Sequence, residues 1–227
     1  IASLSVVGLN SCNILDENVK ISILHTNDVH SQIEPFPSNH NIYPDRGGFA
    51  KRANIFNGLM KLNPNTLIFD AGDIFQGTPY FNFFQGELEL NLMKKMGYNA
   101  ATIGNHEFDA GLDILKRNII NNDFQFISSN YDFTNTSLEG LVSRYKVYKK
   151  QNIRIGVFGL GIELKGLVNP KLYKETKYYD PIEISNEMTQ KLKTEEKCDL
   201  IICISHLGHT YQDDKISDLR LASLTSD

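Results

Sequence analysis

Short apolar runs recur along this chain, and most end in a polar cluster before an amphipathic stretch begins. The first, Val19–Thr26, is nearly continuous in β-branched and apolar residues and predicts a strand. It runs into Asn27-Asp-Val-His30. Residues 31–46 are rich in Pro, Asn and Ser and predict a loop. Phe49, Ala53, Phe56 and Leu59/Met60 have helical spacing, and Asn63-Pro-Asn65 stops that helix at Leu62. A second strand starts at Thr66 and ends in Asp70-Ala-Gly-Asp73, where Gly72 permits a tight turn. Five aromatic residues between Phe75 and Phe84 predict a loop packed over a sheet edge. Residues 86–96 form an amphipathic pattern with Gly97 as its C-cap, and residues 99–103 predict a third strand.

The second half continues the alternation. Residues 110–120 predict a helix, with Asp109 placed to cap its N-terminus. Residues 124–128 predict a short strand. Residues 144–150 and 153–160 flank Gln151-Asn152 as a hairpin. Residues 169–181 look irregular, and Pro181 suits the first turn of a helix over 182–196. Residues 200–204 predict a strand, followed by Ser205-His-Leu-Gly-His209 and a helix over 215–224. There is no internal repeat and no low-complexity linker. The alternation argues for an α/β layered fold in which mixed sheets are flanked by helices.

Composition narrows the function classes. With 227 residues, 41% of them hydrophobic, the chain can fill one sizeable core. The net charge is -4, and no basic block tracks a phosphate backbone, which argues against duplex nucleic acid as a partner. An anionic substrate would need a bound cation to attract it. Three cysteines are too few for a disulfide framework or a thiolate zinc site. Cys198 and Cys203 flank an apolar run and are expected as small buried hydrophobes. No stretch reaches the roughly 18 apolar residues of a membrane span. Residues 1–19 read as the remnant of an export signal plus a linker, and residues 20–227 as the folded domain. Leu9-Asn-Ser-Cys12 resembles a bacterial lipoprotein box, which would make Cys12 a lipidation site. That reading implies an exported protein, periplasmic or at the cell surface, with membrane anchoring through Cys12.

Four apolar strands each end in potential metal ligands: Asp28 and His30; Asp73; Asn105 and His106; His206 and His209. If the first strand stays extended, Asp28 and His30 point the same way and can converge on one ion. In open α/β sheets, ligands bind outside the carboxyl ends of strands. Any one of these groups alone would be unremarkable as a cap or a surface residue. Four successive loops of this kind suit a site for Zn, Mn, Fe or Co, because oxygen and imidazole donors are mixed.

Asp28-Val-His30, Gly72-Asp73, Gly104-Asn-His-Glu107 and His206 together resemble the calcineurin-like metallophosphoesterase pattern. Leu24-His-Thr-Asn-Asp-Val-His30, Asp70-Ala-Gly-Asp-Ile-Phe-Gln-Gly77, Asn105-His-Glu-Phe-Asp109 and Ser205-His-Leu-Gly208 are similar to its 5'-nucleotidase/UDP-sugar hydrolase branch. The resemblance implies two divalent metal ions, Zn, Mn or similar. Asp28 and His30 would hold the first, Asp73 would bridge both, and Asn105 and His206 would hold the second. His106 and Asp109 would form the catalytic dyad at the phosphate. Glu107 is expected to support the loop, and His209 is not expected to be a ligand. The substrate would be a small phosphoester, most simply a 5'-nucleotide, or alternatively a nucleotide-sugar pyrophosphate or a 2',3'-cyclic nucleotide. The family's last Gly-His-x-His loop is expected after Asp227, as is a separate nucleotide-binding C-terminal domain. On that reading the fold is C-terminally incomplete, the second ion is held weakly, and an inactive binding or assembly module is the competing class.

Overall fold

The computed structural model describes residues 18–225. The export and lipidation reading of residues 1–17, Cys12 included, lies outside that range. In chain order the elements are β1 (Ser22–Thr26), α1 (Phe49–Leu62), β2 (Thr66–Asp70), α2 (Pro79–Phe84), α3 (Glu87–Met96), β3 (Ala100–Ala101), α4 (Leu112–Asn122), β4 (Tyr131–Asp132), β5 (Tyr145–Lys150), β6 (Ile153–Leu160), α5 (Pro170–Tyr173), β7 (Lys177–Tyr178), α6 (Pro181–Thr194), β8 (Leu200–Ser205) and α7 (Asp218–Leu224). A 3-10 turn at His106–Phe108 lies between β3 and α4.

Two sheets stack face to face. In the first, β1, β2 and β3 run parallel. In the second, β5 pairs antiparallel with β6, and β6 pairs parallel with β8. The alternation of side chains along β2 shows how the layers form. Ile68 faces outward into a cluster with Phe56 of α1, Leu90 and Met93 of α3 and Leu115 of α4. Leu67 and Phe69 face inward and meet Ile155 and Val157 of β6 and Ile204 of β8. On the far side, Phe158 and Leu160 of β6 pack on Met188 and Leu192 of α6 and Leu221 of α7. The result is helices, sheet, sheet, helices, the mixed layered arrangement that the alternation predicts. The outer edges of β1 and β8 carry no further strand among the described residues. They border one groove of about 870 Å³ lined by Ile23, His25, Leu200, Cys203 and the inner face of α7.

Several local expectations change. Residues 79–84 form a helix rather than a loop, because Pro79 stands in its first turn. The aromatics split accordingly: Phe75 and Phe81 are buried, whereas Phe83 is 82% exposed. Residues 124–128 make only isolated bridges, Ala101 to Phe126 and Ile127 to Ser143, so that strand is not continuous. Residues 169–181 contain α5 and β7 rather than an irregular loop, with Asn169 capping α5. The last helix starts at Asp218, capped by the Ser217 hydroxyl, not at residue 215. Cys198 is half-buried and Cys203 exposed, contrary to the buried role expected. Cys198 lies just before β8 and Cys203 on it, and β8 is an edge strand.

Candidate metal centre

The carboxyl ends of β1, β2, β3 and β8 deliver four loops to one place. The strands do not simply project their next residues. β1 ends at Thr26, and Asp28, His30 and Ser31 then have φ of 50°, 43° and 52°. Asp73 has φ of 55°. Left-handed backbone is uncommon outside glycine, and residues held there tend to mark functional sites. Asp28 and His30 therefore do not converge through an extended strand end, as the sequence pattern suggested. They converge because their backbone is tied to the neighbouring loop. Asp28 N–H donates to Gly72 O at 3.0 Å, His30 N–H to Asp73 O at 3.1 Å, and Ser31 N–H to Ile74 O at 2.8 Å.

Gly72 and Gly104 permit the closest approach. A Cβ on Gly104 would lie 2.3 Å from Asp73 Oδ1, and one on Gly72 would lie 2.6 Å from the Gly104 nitrogen. Only glycine allows the two loops to cross there. Glu107, wholly buried, locks the crossing. Its Oε2 accepts the N–H groups of Asp73 (2.9 Å) and Gly104 (2.6 Å). Its Oε1 accepts those of Ile74 (2.7 Å) and Phe75 (3.3 Å). Glu107 thus supports the loop by holding backbone, not by orienting a ligand side chain. Burial, reinforced by the nearby Asp73 charge, pushes its carboxyl up to about 7.

Asp73 is the hub. Its Oδ1 accepts the His106 N–H at 2.8 Å. Its Oδ2 lies 3.2 Å from His206 Nε2 and 4.0 Å from His106 Nε2. Two groups of potential ligand atoms, each within 4.8 Å, share it: His30, Asp73 and His106; and Asp28, Asp73 and His206. Asp28 Oδ1 is 3.8 Å from His30 Nε2, and the His30 and His106 rings meet edge to face at 5.1 Å. Asn105 opens the 3-10 turn, half-buried, with no capping bond from its side chain. His209 is exposed.

The ring nitrogens separate the histidines by chemistry. His206 Nδ1 lies 2.7 Å from Ala71 O, and His30 Nδ1 lies 3.3 Å from Phe75 O. A ring N–H held by a backbone carbonyl leaves the other nitrogen as a lone-pair donor, the arrangement metal-ligating histidines use. His106 differs, because its Nδ1 is 2.7 Å from the Asp109 carboxylate. Asp109 is committed there and does not cap α4, whose N-terminus is set by Gly111 at φ 79°. Burial works against an imidazolium at His106, but the Asp109 bond and the Asp73 charge outweigh it and raise its pKa. At His206 burial is likewise outweighed, by Asp73, and the pKa rises to about 9. Burial would raise Asp73, yet the His206 and His106 contacts bring it below the usual range. His206 Nε2 and Asp73 Oδ2 face each other at 3.2 Å, and this site mixes imidazole and carboxylate donors. The donor set therefore fits divalent metal.

Comparison with known proteins identifies the family. Residues 21–226 match the calcineurin-like phosphoesterase family model, and the chain belongs to that family. It is 33% identical over 204 residues to a 5'-nucleotidase of Vibrio vulnificus, covering 88% of this chain and 36% of the relative. It is 30% identical over 199 residues to Protein UshA of Escherichia coli, covering 86% and 35%. Among solved structures it resembles a 5'-nucleotidase precursor of Thermus thermophilus, with TM-score 0.77, 32% identity, and coverage of 83% of this chain and 37% of that one. An NAD nucleotidase of Haemophilus influenzae gives TM-score 0.71 at 32% identity, covering 84% and 34%. The chain spans about a third of the length of these proteins.

Proposed function

We propose that this chain is the metal-binding catalytic part of a phosphoester hydrolase acting on 5'-nucleotides. The observation that carries the reading is the Asp73 hub, which has His206 Nε2 at 3.2 Å and a His30 ligand atom within 4.8 Å, each ring held at Nδ1 by a backbone carbonyl. Asp28 and His30 would hold one divalent ion, Asn105 and His206 a second, and Asp73 would bridge them, with Zn or Mn as the suited metals. When bound, such ions polarise a phosphoryl oxygen and acidify water. The chain's own residues do the rest. His106, whose protonated form the Asp109 bond favours, would donate its Nε2–H to the charge that develops on the phosphate oxygens. Asp109 fixes the ring orientation, and Glu107 keeps the hub loop and the dyad loop in register. A further domain would supply the contacts to the nucleoside. Export, and a lipid anchor at Cys12, belong to the same reading.

The likeness to an NAD nucleotidase favours a second reading of the substrate, in which the same centre cleaves a nucleotide pyrophosphate. Phosphate release from AMP and nucleotide release from NAD and UDP-glucose, with Mn or Zn added, separate the two. No metal uptake and no turnover on any of them, by this chain or by a longer form of the protein, would sink the hydrolase reading and leave a silent binding module.

A further inference from the structure

Asp70 ends β2 with its side chain wholly buried, and its oxygens bond Thr26 and Gly72 rather than a candidate ligand side chain. Its two oxygens are both engaged. Oδ2 accepts the Thr26 hydroxyl at 2.5 Å, and Oδ1 accepts the Gly72 N–H at 2.9 Å. The Thr26 hydroxyl is also 2.7 Å from the hydroxyl of Tyr98, itself 6% exposed. Thr26 and Asp70 are register partners in the parallel pair β1–β2. The three side chains join β1, β2 and the turn after α3 by hydrogen bonds, and the Arg52 guanidinium of α1 acts on Asp70 and Tyr98 as well.

Such a group is costly in an apolar layer, where a methyl-bearing residue would pack without needing partners. What it touches suggests why it is there. The Gly72 carbonyl, one atom group beyond the N–H that Asp70 holds, receives the Asp28 N–H. The Ala71 carbonyl, between Asp70 and Gly72, receives His206 Nδ1. The Ala71 N–H in turn donates to Thr26 O at 2.8 Å. Residues 70–72 therefore carry the backbone acceptors that orient Asp28 and His206, and lead directly into Asp73.

We propose that Asp70, Thr26 and Tyr98 form a positioning network that sets the orientation of Ala71 and Gly72, and through them of Asp28, Asp73 and His206, so that removing it weakens cation binding without unfolding the domain. The proposal rests on the metal reading above. The network holds the turn by hydroxyl and carboxylate bonds, and the turn aims the candidate ligands. None of its members needs to touch the ion.

The test measures Mn²⁺ affinity by titration and metal-free melting temperature on the 227-residue chain and on four variants. Thr26→Val keeps the shape of the side chain and deletes its hydroxyl. Its Mn²⁺ affinity should fall about tenfold or more, in the range seen when groups supporting metal ligands are removed. Thr26→Ser restores the hydroxyl and should bind within about twofold of wild type, on the same reasoning. Tyr98→Phe removes only the distal hydroxyl and should fall between them; it carries the test if Thr26→Val does not fold. Ile68→Val, two residues before Asp70 on the same face of β2 but outside the hydrogen-bond network, should lower the melting temperature and leave Mn²⁺ affinity unchanged. If Thr26→Val and Tyr98→Phe behave like Ile68→Val, the network is structural only and the proposal is overturned. If wild type itself takes up no Mn²⁺, the metal reading fails, and the proposal fails with it for that separately visible reason.

Discussion

The candidate centre has an inner and an outer half, and they are built differently. The inner half is Asp73 and His206, whose side chains are 6% and 11% exposed. Buried Glu107 braces it and a 2.7 Å bond to Ala71 O holds His206. The outer half is Asp28 and His30, 48% and 36% exposed. It is held mostly by its backbone, through left-handed residues clipped onto the Asp73 loop. Electrostatics act strongly where water is excluded and weakly where it is not. Preorganisation is thus concentrated in the inner half, and the outer half depends on it for position.

Substitutions should grade along this division. The largest effect is expected at the hub: Asp73→Ala should abolish uptake of both ions and remove the several kcal/mol of transition-state stabilisation that metal supplies. Metal analysis showing one ion still tightly bound would refute the shared role. Next comes Glu107→Ala, which leaves four backbone N–H groups without their acceptor. At about 1 kcal/mol for each stranded buried donor, the low end of the usual range, stability should fall by roughly 4 kcal/mol, with both halves losing metal. A variant that melts within a degree or two of wild type would show the clamp to be dispensable. His106→Ala should lower turnover by about 10²–10³-fold, the range for losing one preorganised donor, while metal content holds. Loss of metal instead would make His106 a ligand, consistent with its place beside His30 and Asp73.

The smallest effect separates the halves by pH. In the metal-free protein His206 titrates at about 9, and Glu107 and Asp70 at about 7. All three bind protons more tightly folded than unfolded. The contribution of His206 is therefore complete below about pH 6.5, its unfolded value, and is lost as pH rises through about 9. The buried carboxylates also lose stability as pH rises, through about 7. The His206 part of that loss should be on the order of 3 kcal/mol between pH 6 and pH 9. Added Zn should flatten that decline, because the cation competes with the proton at His206. A melting temperature that climbs over this interval would contradict the assignment. His206→Ala should reduce the decline.

Much of this was legible in the sequence, for identifiable reasons. The strand and helix alternation is carried by periodicity, and it gave β2, the β5–β6 hairpin, α1 and α6 within a few residues. The convergence of Asp28, His30, Asp73, His106 and His206 follows from four apolar runs ending in donors, because parallel strands put those ends on one side. The means of convergence was not legible. Left-handed backbone at Asp28, His30 and Asp73 has no composition signal, since these residues are ordinary in loops. The carbonyls of Ala71 and Phe75, which select the histidine nitrogen, carry no side-chain identity at all. Asp109 carries two expectations from the sequence, a cap for α4 and a partner for His106; Gly111 takes the first place, and the Asp109 carboxylate lies 2.7 Å from His106 Nδ1. Asp70 was visible only as an acid closing an apolar strand. That mismatch was the one available sign of the network behind the site.

The open edges of β1 and β8 bear on how the protein behaves in a tube. A sheet edge with unsatisfied N–H and C=O groups, beside the apolar surface of Ile23 and Leu200, is a template for pairing with any other extended chain. Where no further strand covers these edges, as among the described residues, self-association is expected to limit the concentration at which metal binding by the 227-residue chain can be measured. Charged substitutions at Ile23 or Leu200, which lie outside the candidate centre, are the direct way to raise that limit.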